Sequence, residues 1–516
     1  MLFDRLTARR PKSKIAKYTA PVKGWIKNEA LAQSTSGGAE QLDNFFPTAQ
    51  GARLRKGRAK KATIAAACKS LFTYHAGGTE KLFAASASAI YDVTSPADPD
   101  VSPSAAVSSL TSGDWTVVPF SNSGGDYIVL ANGADTVRNF DGTTWSAPTI
   151  TGVTSSDLSH VWVFKDRQFF IEEDTLSAWY LASSAISGAA TEFPLRGIFT
   201  LGGSLLFGAT WSLDSGEGLD DVCVFVTTEG EIAVYTGSDP GSDFALQGVY
   251  RIGKPLSKDA WFKAGGDVAI LTEDGIIPLS EALRKDRAAL QAVAITFPIE
   301  DAWQDAITNR SASFPFSVSL WHSQSMLVIG TPNAVAGTDV AFVANARTGA
   351  WCRFTGWDVQ CSTIYNDTLY FGQEDATIWQ AETTGSDQTA EYAGLWVPKY
   401  AETGLNQKMA VHARFRGRAS ASYNLGLACF ADYQTADSIS AVAPSAEETS
   451  SIWGTAVWGT DTWGGSSTKI AVTEWAGVTS IGTALAPAVR VPSNRATAPD
   501  LEIISLDLVY QEGGII

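Results

Sequence analysis

Metal or nucleophile chemistry in this 516-residue chain would fall first to its four histidines and five cysteines. His75, His160, His322 and His412 stand alone; none has a second His at metal-ligand spacing, and HExxH is absent. The cysteines, Cys68, Cys223, Cys352, Cys361 and Cys429, are odd in number and form no CxxC pair. That pattern predicts reduced, buried thiols rather than a disulfide framework or a zinc site. Neither GxSxG nor a P-loop occurs. No cofactor is expected.

Carboxylates are the remaining chemical resource. Glycoside hydrolysis needs two of them facing one cleft, and "IEEDT" (171–175) and "SGEGLDD" (215–221) leave that route open. "FDGTTW" (140–145) superficially resembles a sialidase Asp-box, but its Asp and Gly are adjacent where the box separates them by one residue. The simpler expectation is a hairpin turn whose Trp packs between sheets.

A third candidate is "SIWGTAVWGTDTWGG" (451–465), in which Trp453, Trp458 and Trp463 are spaced by five and each precedes a Gly. A five-residue step in a strand sends successive side chains to opposite faces, and glycine weakens a regular strand. The stretch therefore reads as a turning segment whose indoles pack on their own domain or on a neighbouring subunit; sugar stacking is the alternative.

The elements that would position these residues are β-strands. The chain is 45% hydrophobic and 18% charged, with 46 Gly and 17 Trp, and its apolar stretches are short. From about residue 64, strand–turn–strand units recur every 40 to 60 residues. They include "KLFAASASAIYDV" (81–93), "YIVLANGADTVRNFDGTTW" (127–145), "RQFFIEEDTLSAWYL" (167–181) and "VCVFVTTEGEIAVYTG" (222–237). They continue through "DVAILTEDGIIPLS" (267–280) and 325–354 to "LYFGQEDATIWQAE" (369–382). The expected fold is all-β: a β-propeller of six or seven blades over 62–382. A basic arm (1–61) precedes it and a β-sandwich-like domain (383–516) follows it. A meander or stacked sandwiches are the alternatives to the propeller.

Within the arm, "QSTSGGAEQ" reads as a linker, and Phe45 and Phe46 before Pro47 read as an anchor on this chain's body or a neighbour's. "TTGSDQTAEYAG" (383–394) reads as a second linker. Two helices are expected near 280–310, over 280–294 with Ser280 as N-cap, and over 299–310 with Ile299, Trp303 and Ile307 on one stripe. They offer a surface for a neighbour.

Charge is divided. Residues 1–61 hold 14 Lys/Arg against 4 Asp/Glu, a balance of +10; the remainder holds 24 against 50, a balance of −26. An acidic body disfavours tight nucleic-acid binding and suits a surface past which DNA slides. No run of 18 apolar residues and no signal-peptide core occurs, so synthesis and assembly in a cytosol are expected and no membrane-spanning segment.

The most specific stretch is "NARTGAWCRFTGWDVQCSTIYNDTLYFGQEDATIWQAE" (345–382). With "LDNFFPTAQGARLRKG", "GIIPLSEAL", "IEDAW" and "LEIISLDLVYQEGG", it resembles the tail nozzle (tail tubular, or tail hub) proteins of short-tailed bacteriophages. The resemblance implies a structural virion protein of the viral tail, without enzymatic activity. It implies a propeller-containing subunit of a homo-oligomeric, usually hexameric, ring below the portal and its adaptor or head-to-tail connector. Tail fibre or spike proteins would be further partners. Genomic DNA would be retained and then conducted at ejection without specific binding.

Under that reading Phe45, Phe46, Arg53, Arg55, Lys56, Trp303, Trp453, Trp458 and Trp463 are candidate assembly contacts. The basic run 53–61 meets acidic neighbours, lines the mouth of the DNA path, or forms a strand that closes the propeller. Loops such as 210–221 are candidate gates. A receptor-binding or fibre-attachment protein that recognises host glycan, and a glycan-degrading tail enzyme, are the competing functions.

Overall fold

The structure, a computed structural model, describes residues 13–30, 35–214, 219–335, 340–402, 406–434, 439, 450–451, 462–463 and 469–513. It is all-β, with 53% strand and 6% helix in many small sheets and no closed barrel among the described residues. The chain divides into two units. Unit 1 comprises Met1–Arg58, Val343–Thr355 and Glu382–Ile516; unit 2 comprises Ala59–Phe342 and Gly356–Ala381.

Unit 2 is mainly a series of antiparallel sheets built from short meanders, with one small parallel pairing of Ile150–Thr151 with Gly188–Ala189. The first is Ser70–Ala76, Thr79–Ala85, Ala89–Asp92 and Ala105–Ser108. The second is Thr116–Asn122, Gly125–Ala131, Arg138–Phe140 and Trp145–Ser146. The third is Leu158–Phe164, Arg167–Glu172, Ser177–Tyr180 and Thr191–Pro194. The fourth is Leu205–Asp214, Leu219–Thr227, Glu231–Thr236 and Ala245–Arg251.

A three-stranded fifth sheet follows: Trp261–Ala264, Asp267–Thr272 and Gly275–Pro278. The sixth contributes the hairpin Ser317–Trp321 and Met326–Thr331. The seventh is Cys361–Tyr365, Thr368–Gly372 and Thr377–Gln380, and its outer strand is Ala59–Thr63, from far upstream. The basic segment thus ends in a strand that completes the last sheet.

Neighbouring sheets touch in cyclic order. Ser70–Ala76 contacts the second sheet, Thr116–Asn122 contacts Leu158–Phe164, and Leu158–Phe164 contacts Leu205–Asp214. Leu205–Asp214 contacts the fifth sheet, Trp261–Ala264 contacts Ser317–Trp321, Ser317–Trp321 contacts Cys361–Tyr365, and Cys361–Tyr365 returns to Ser70–Ala76. The apolar core lies between the sheets. Phe72, Phe83, Leu130 and Phe140 fill the space between the first and second. Ile64, Leu82, Tyr91, Tyr365 and Ile378 fill the space between the seventh and first. Long apolar runs such as "MLVIGT" are buried at every position because both faces of such a strand meet a neighbour.

The helical region is more broken than its composition predicts. Leu279–Ala282 and Arg287–Leu290 are single turns, a 3-10 turn follows the second, and Glu300–Thr308 is the one helix of two turns among the described residues. Ser280 is not an N-cap. Pro278 holds that position, and Ser280 Oγ donates to Asp267 Oδ2 at 2.6 Å. Asp286 caps the second turn by accepting from the Arg287 N–H, which is why the expected helix over 280–294 is interrupted. Trp303 and Ile299 are buried, with Trp303 Nε1 donating to the Thr272 carbonyl at 3.0 Å.

Unit 1 contains two larger sheets among its described residues, besides the two-residue pairing of Ser450–Ser451 with Thr462–Trp463. In one, Lys408–Ala419 lies between Ile470–Gly482 and Glu502–Glu512, and the latter also pairs with Ser13–Thr19 and Ala52–Leu54. "ARFRGRA" alternates as expected of a half-buried strand, burying Ala413, Phe415 and Ala419. The other sheet is ordered Trp351–Thr355, Gly24–Trp25, Gly38–Asp43, Tyr392–Pro398, Ala484–Ser493.

The described residues of both stretches read as linkers, 35–41 and 383–394, are structured. Gly38, Ala39 and Glu40 are buried, with Glu40 held between Lys399 at 3.0 Å and Lys27. Ser386 and Asp387 are buried too. Polar composition suggested solvation, but these side chains have ionic and hydrogen-bonding partners that permit burial.

Candidate functional site

The resemblance-bearing segments "LDNFFP" and "NARTGAWCRFT" meet inside unit 1. Asn44 is the hub. Its φ of +57° is a left-handed conformation that Asn tolerates better than most side chains. Its backbone N–H donates to the Arg353 carbonyl at 2.7 Å. Its side-chain Nδ2 donates to Thr355 Oγ1 and to the Ala393 carbonyl, both at 2.7 Å. Its Oδ1 accepts from the Thr355 N–H at 3.0 Å and from Arg55 Nε at 2.8 Å. Asn44 thus uses both ends of its amide.

Charged side chains flank it. Arg353 grips Asp43 through two hydrogen bonds, 2.7 and 2.9 Å. Arg55, fully buried, does the same to Asp387 at 2.9 and 2.7 Å and lies 4.2 Å from the Tyr392 ring centre. Asn345 Nδ2 donates to the Pro47 carbonyl at 2.9 Å. The bidentate geometry is what guanidinium supplies and ammonium does not.

The predicted contact residues distribute unevenly. Phe45 and Phe46 are buried within unit 1, and Arg53 bonds Glu382 at 2.8 Å while lying 5.2 Å from the Phe46 ring centre. Lys56 is half-buried beside them. Trp303 lies in unit 2, apart from this cluster in the chain's division. Trp453 and Trp458 lie outside the described residues. Trp463 is described only as backbone, in the two-residue strand Thr462–Trp463 that pairs with Ser450–Ser451. Of the candidate gate 210–221, residues 215–218 also lie outside.

Sequence reading missed Asn44, Asp43 and Asp387. The signal present was the motif itself: an Asn between two strand-forming pairs, and an Asp in a polar stretch next to a buried strand.

Unit 2 has a cavity of about 540 Å³ walled by Ser70–Ala76, Thr116–Asn122, Ser317–Trp321 and Cys361–Tyr365. Asp114, Asp259 and Lys69 line it. Burial raises the Asp259 carboxyl to about 6, against the opposing pull of Lys258. Thr116 Oγ1 donates to it at 3.2 Å. Lys258 is committed elsewhere: its Nζ donates to the Asp114 carbonyl at 2.7 Å and lies 3.5 Å from the Asp114 carboxylate. Lys69 donates to the Ser313 carbonyl at 2.9 Å and sits 3.6 Å from the Phe314 ring centre. Asp259, held above the usual carboxylate range by burial, and the ion-paired Asp114 thus share the lining of this cavity.

Beyond the wall, His160 is buried and driven down to about 3 by desolvation; its Nε2 lies 3.0 Å from the Gly208 carbonyl. It is therefore a neutral core imidazole. Among the described residues, no group of three His, Cys, Asp or Glu side chains is placed to hold a metal. No helix among them is long and apolar enough to cross a membrane. In "FDGTTW", Asp141 Oδ1 accepts from the Thr143 and Thr144 N–H groups at 2.8 and 2.7 Å, a turn cap. Trp145 packs on Phe83 and Phe140, ring centres 5.1 and 5.0 Å away, across the first and second sheets.

No protein-family model matches the chain, and no curated protein matches its sequence. The solved structures similar to this chain at low level include the following three. The computationally designed Ika8 protein shares 11% identity with a TM-score of 0.36, covering 63% of this chain and 99% of its own. Raptor of Chaetomium thermophilum shares 9% with a TM-score of 0.40, over 64% and 29%. BBS1N, solved in complex with ARL6DN, shares 8% with a TM-score of 0.40, over 64% and 96%.

Proposed function

We propose that this chain is a structural tail protein of a short-tailed bacteriophage: a nozzle subunit. It forms a ring below the portal and its adaptor, retains packaged DNA and conducts it at ejection. The observation that carries the reading is the junction at Asn44. The two stretches most like nozzle proteins, 300 residues apart, are bonded to each other through Asn44, Asp43, Thr355 and Arg353. Two motifs bonded to each other in this way support an architectural role.

Three further features support it. The cyclic succession of sheets in unit 2 suits a seven-bladed propeller, closed where Ala59–Thr63 pairs with Thr377–Gln380. The paired sheets of unit 1 suit a β-sandwich-like domain. The −26 balance outside the basic segment suits a conduit, because like charge repels phosphate and limits adhesion. The protein would act in the virion tail after assembly in the host cytoplasm, beside adaptor and fibre or spike proteins.

A second reading, a receptor-binding tail protein, has one observation in its favour. Trp475 is 55% exposed on the long strand Ile470–Gly482, with Arg414 4.9 Å from its ring centre. An exposed indole of that kind can stack on a sugar. Electron microscopy of the purified protein separates the readings. A closed ring around an axial channel supports the nozzle; a monomer or trimer that binds host glycan supports the receptor-binding protein.

A further inference from the structure

Cys68 and Cys361 are buried, with their sulfurs 3.5 Å apart. The Cys361 thiol also points toward the Cys68 carbonyl oxygen at 3.7 Å. The two residues come from opposite ends of unit 2's sheet series. Cys68 precedes the first strand of the first sheet, and Cys361 opens the first strand of the seventh. Gly372, opposite Cys361 in register, makes room for both. A Cβ there would lie 2.6 Å from Cys68 Sγ and 2.9 Å from Cys361 Sγ. No other cysteine pair is within hydrogen-bonding contact among the described residues.

We propose that Cys68 and Cys361 form an oxidative modification site, at which a peroxide installs a disulfide joining the first and last sheets of unit 2. Cys361 borders the 540 Å³ cavity, which gives a molecule as small as hydrogen peroxide a route to it. The Cys361 thiolate attacks one peroxide oxygen, the O–O bond breaks, and a sulfenic acid and one water result. The Cys68 thiolate then attacks the sulfenic sulfur and expels the second water. The two thiols lose two electrons and two protons in all, and one peroxide becomes two waters.

The sulfurs close from 3.5 Å to the about 2.05 Å of a disulfide, and the lack of a side chain at Gly372 leaves both of them their room. The hydrogen bond to Cys361 and burial hold the Cys68 thiol well above its ordinary range. The second step is therefore slow at neutral pH and faster in alkali. The cross-link closes a loop of 293 residues, so it constrains the unfolded chain and fixes the meeting of first and last sheets.

The test is peroxide treatment of the full-length folded protein, then alkylation, proteolysis and mass spectrometry. The expected result is a Cys68–Cys361 linked peptide, reversible by a thiol reductant, with free thiols falling from five to three and the melting temperature rising. Cys361→Ser should lose both the link and the thermal shift. Five free thiols after treatment, a bridge to another cysteine, or sulfinic acid without a bridge would overturn the proposal. The wild-type measurement decides even where a Ser variant folds poorly.

Discussion

Asn44 and Thr355 exchange two hydrogen bonds across 311 residues of chain. Asn44 Nδ2 donates to Thr355 Oγ1 at 2.7 Å, and the Thr355 N–H donates to Asn44 Oδ1 at 3.0 Å. The pairing makes a local backbone choice, a left-handed Asn, depend on a distant strand. Asn44→Gly keeps the backbone freedom and loses four side-chain hydrogen bonds. It should cost about 2–4 kcal/mol in denaturant unfolding. Asn44→Asp keeps the acceptor and loses the donors to Thr355 and Ala393, so it should also destabilise. A Gly variant as stable as wild type would show that only the turn matters.

The buried Arg55–Asp387 pair predicts an asymmetry. Arg55→Met strands the Asp387 carboxylate and should cost about 3–5 kcal/mol. The double variant Arg55→Met, Asp387→Leu removes both charges and should recover part of that loss. Equilibrium unfolding of the full cycle checks it, and additive losses would contradict the pair's coupling.

His160 links stability to acid. Its folded value of about 3 lies below the roughly 6.5 of an unfolded His, so the unfolded chain takes up the proton first. Stability should fall as pH drops from about 6.5 toward 3, by up to about 4 kcal/mol. His160→Gln, which can still donate to Gly208, should flatten that limb. An unchanged limb would place the acid sensitivity elsewhere.

Asp259 works in the opposite direction. Its folded value of about 6 lies above the roughly 3.9 of an unfolded Asp, so the folded protein holds the proton longer. Its contribution to stability is full below about pH 4 and declines as pH rises to about 6. Asp259→Asn should remove that decline and be more stable than wild type at pH 7, on the order of 1–2 kcal/mol. A less stable variant at pH 7 would mean the ionised carboxylate is needed.

Strand-rich architecture was legible because alternation and apolar runs with Gly, Asn or Asp turns are local signals. "KLFAASASAIYDV" and "RQFFIEEDTLSAWYL" supply strands of the first and third sheets. What local signals hide is partnership. "TTGSDQTAEYAG" is polar enough to pass for a linker, and only Arg55, 332 residues away, explains why Asp387 is buried. The helical segment failed for a similar reason. Ala and Leu favour a helix over 280–294, but Ser280 is bound to Asp267 and Asp286 starts a new turn. At Asn44 the residue type was visible, while three of its four partner residues, Arg353, Thr355 and Ala393, lay far outside any sequence window.

The proposed role is tested most directly by electron microscopy of the full-length protein, alone and in the intact phage particle. A closed ring of copies, six by the resemblance, around an axial channel beneath the portal is the predicted result. A monomeric or trimeric appendage at the periphery of the tail would contradict it.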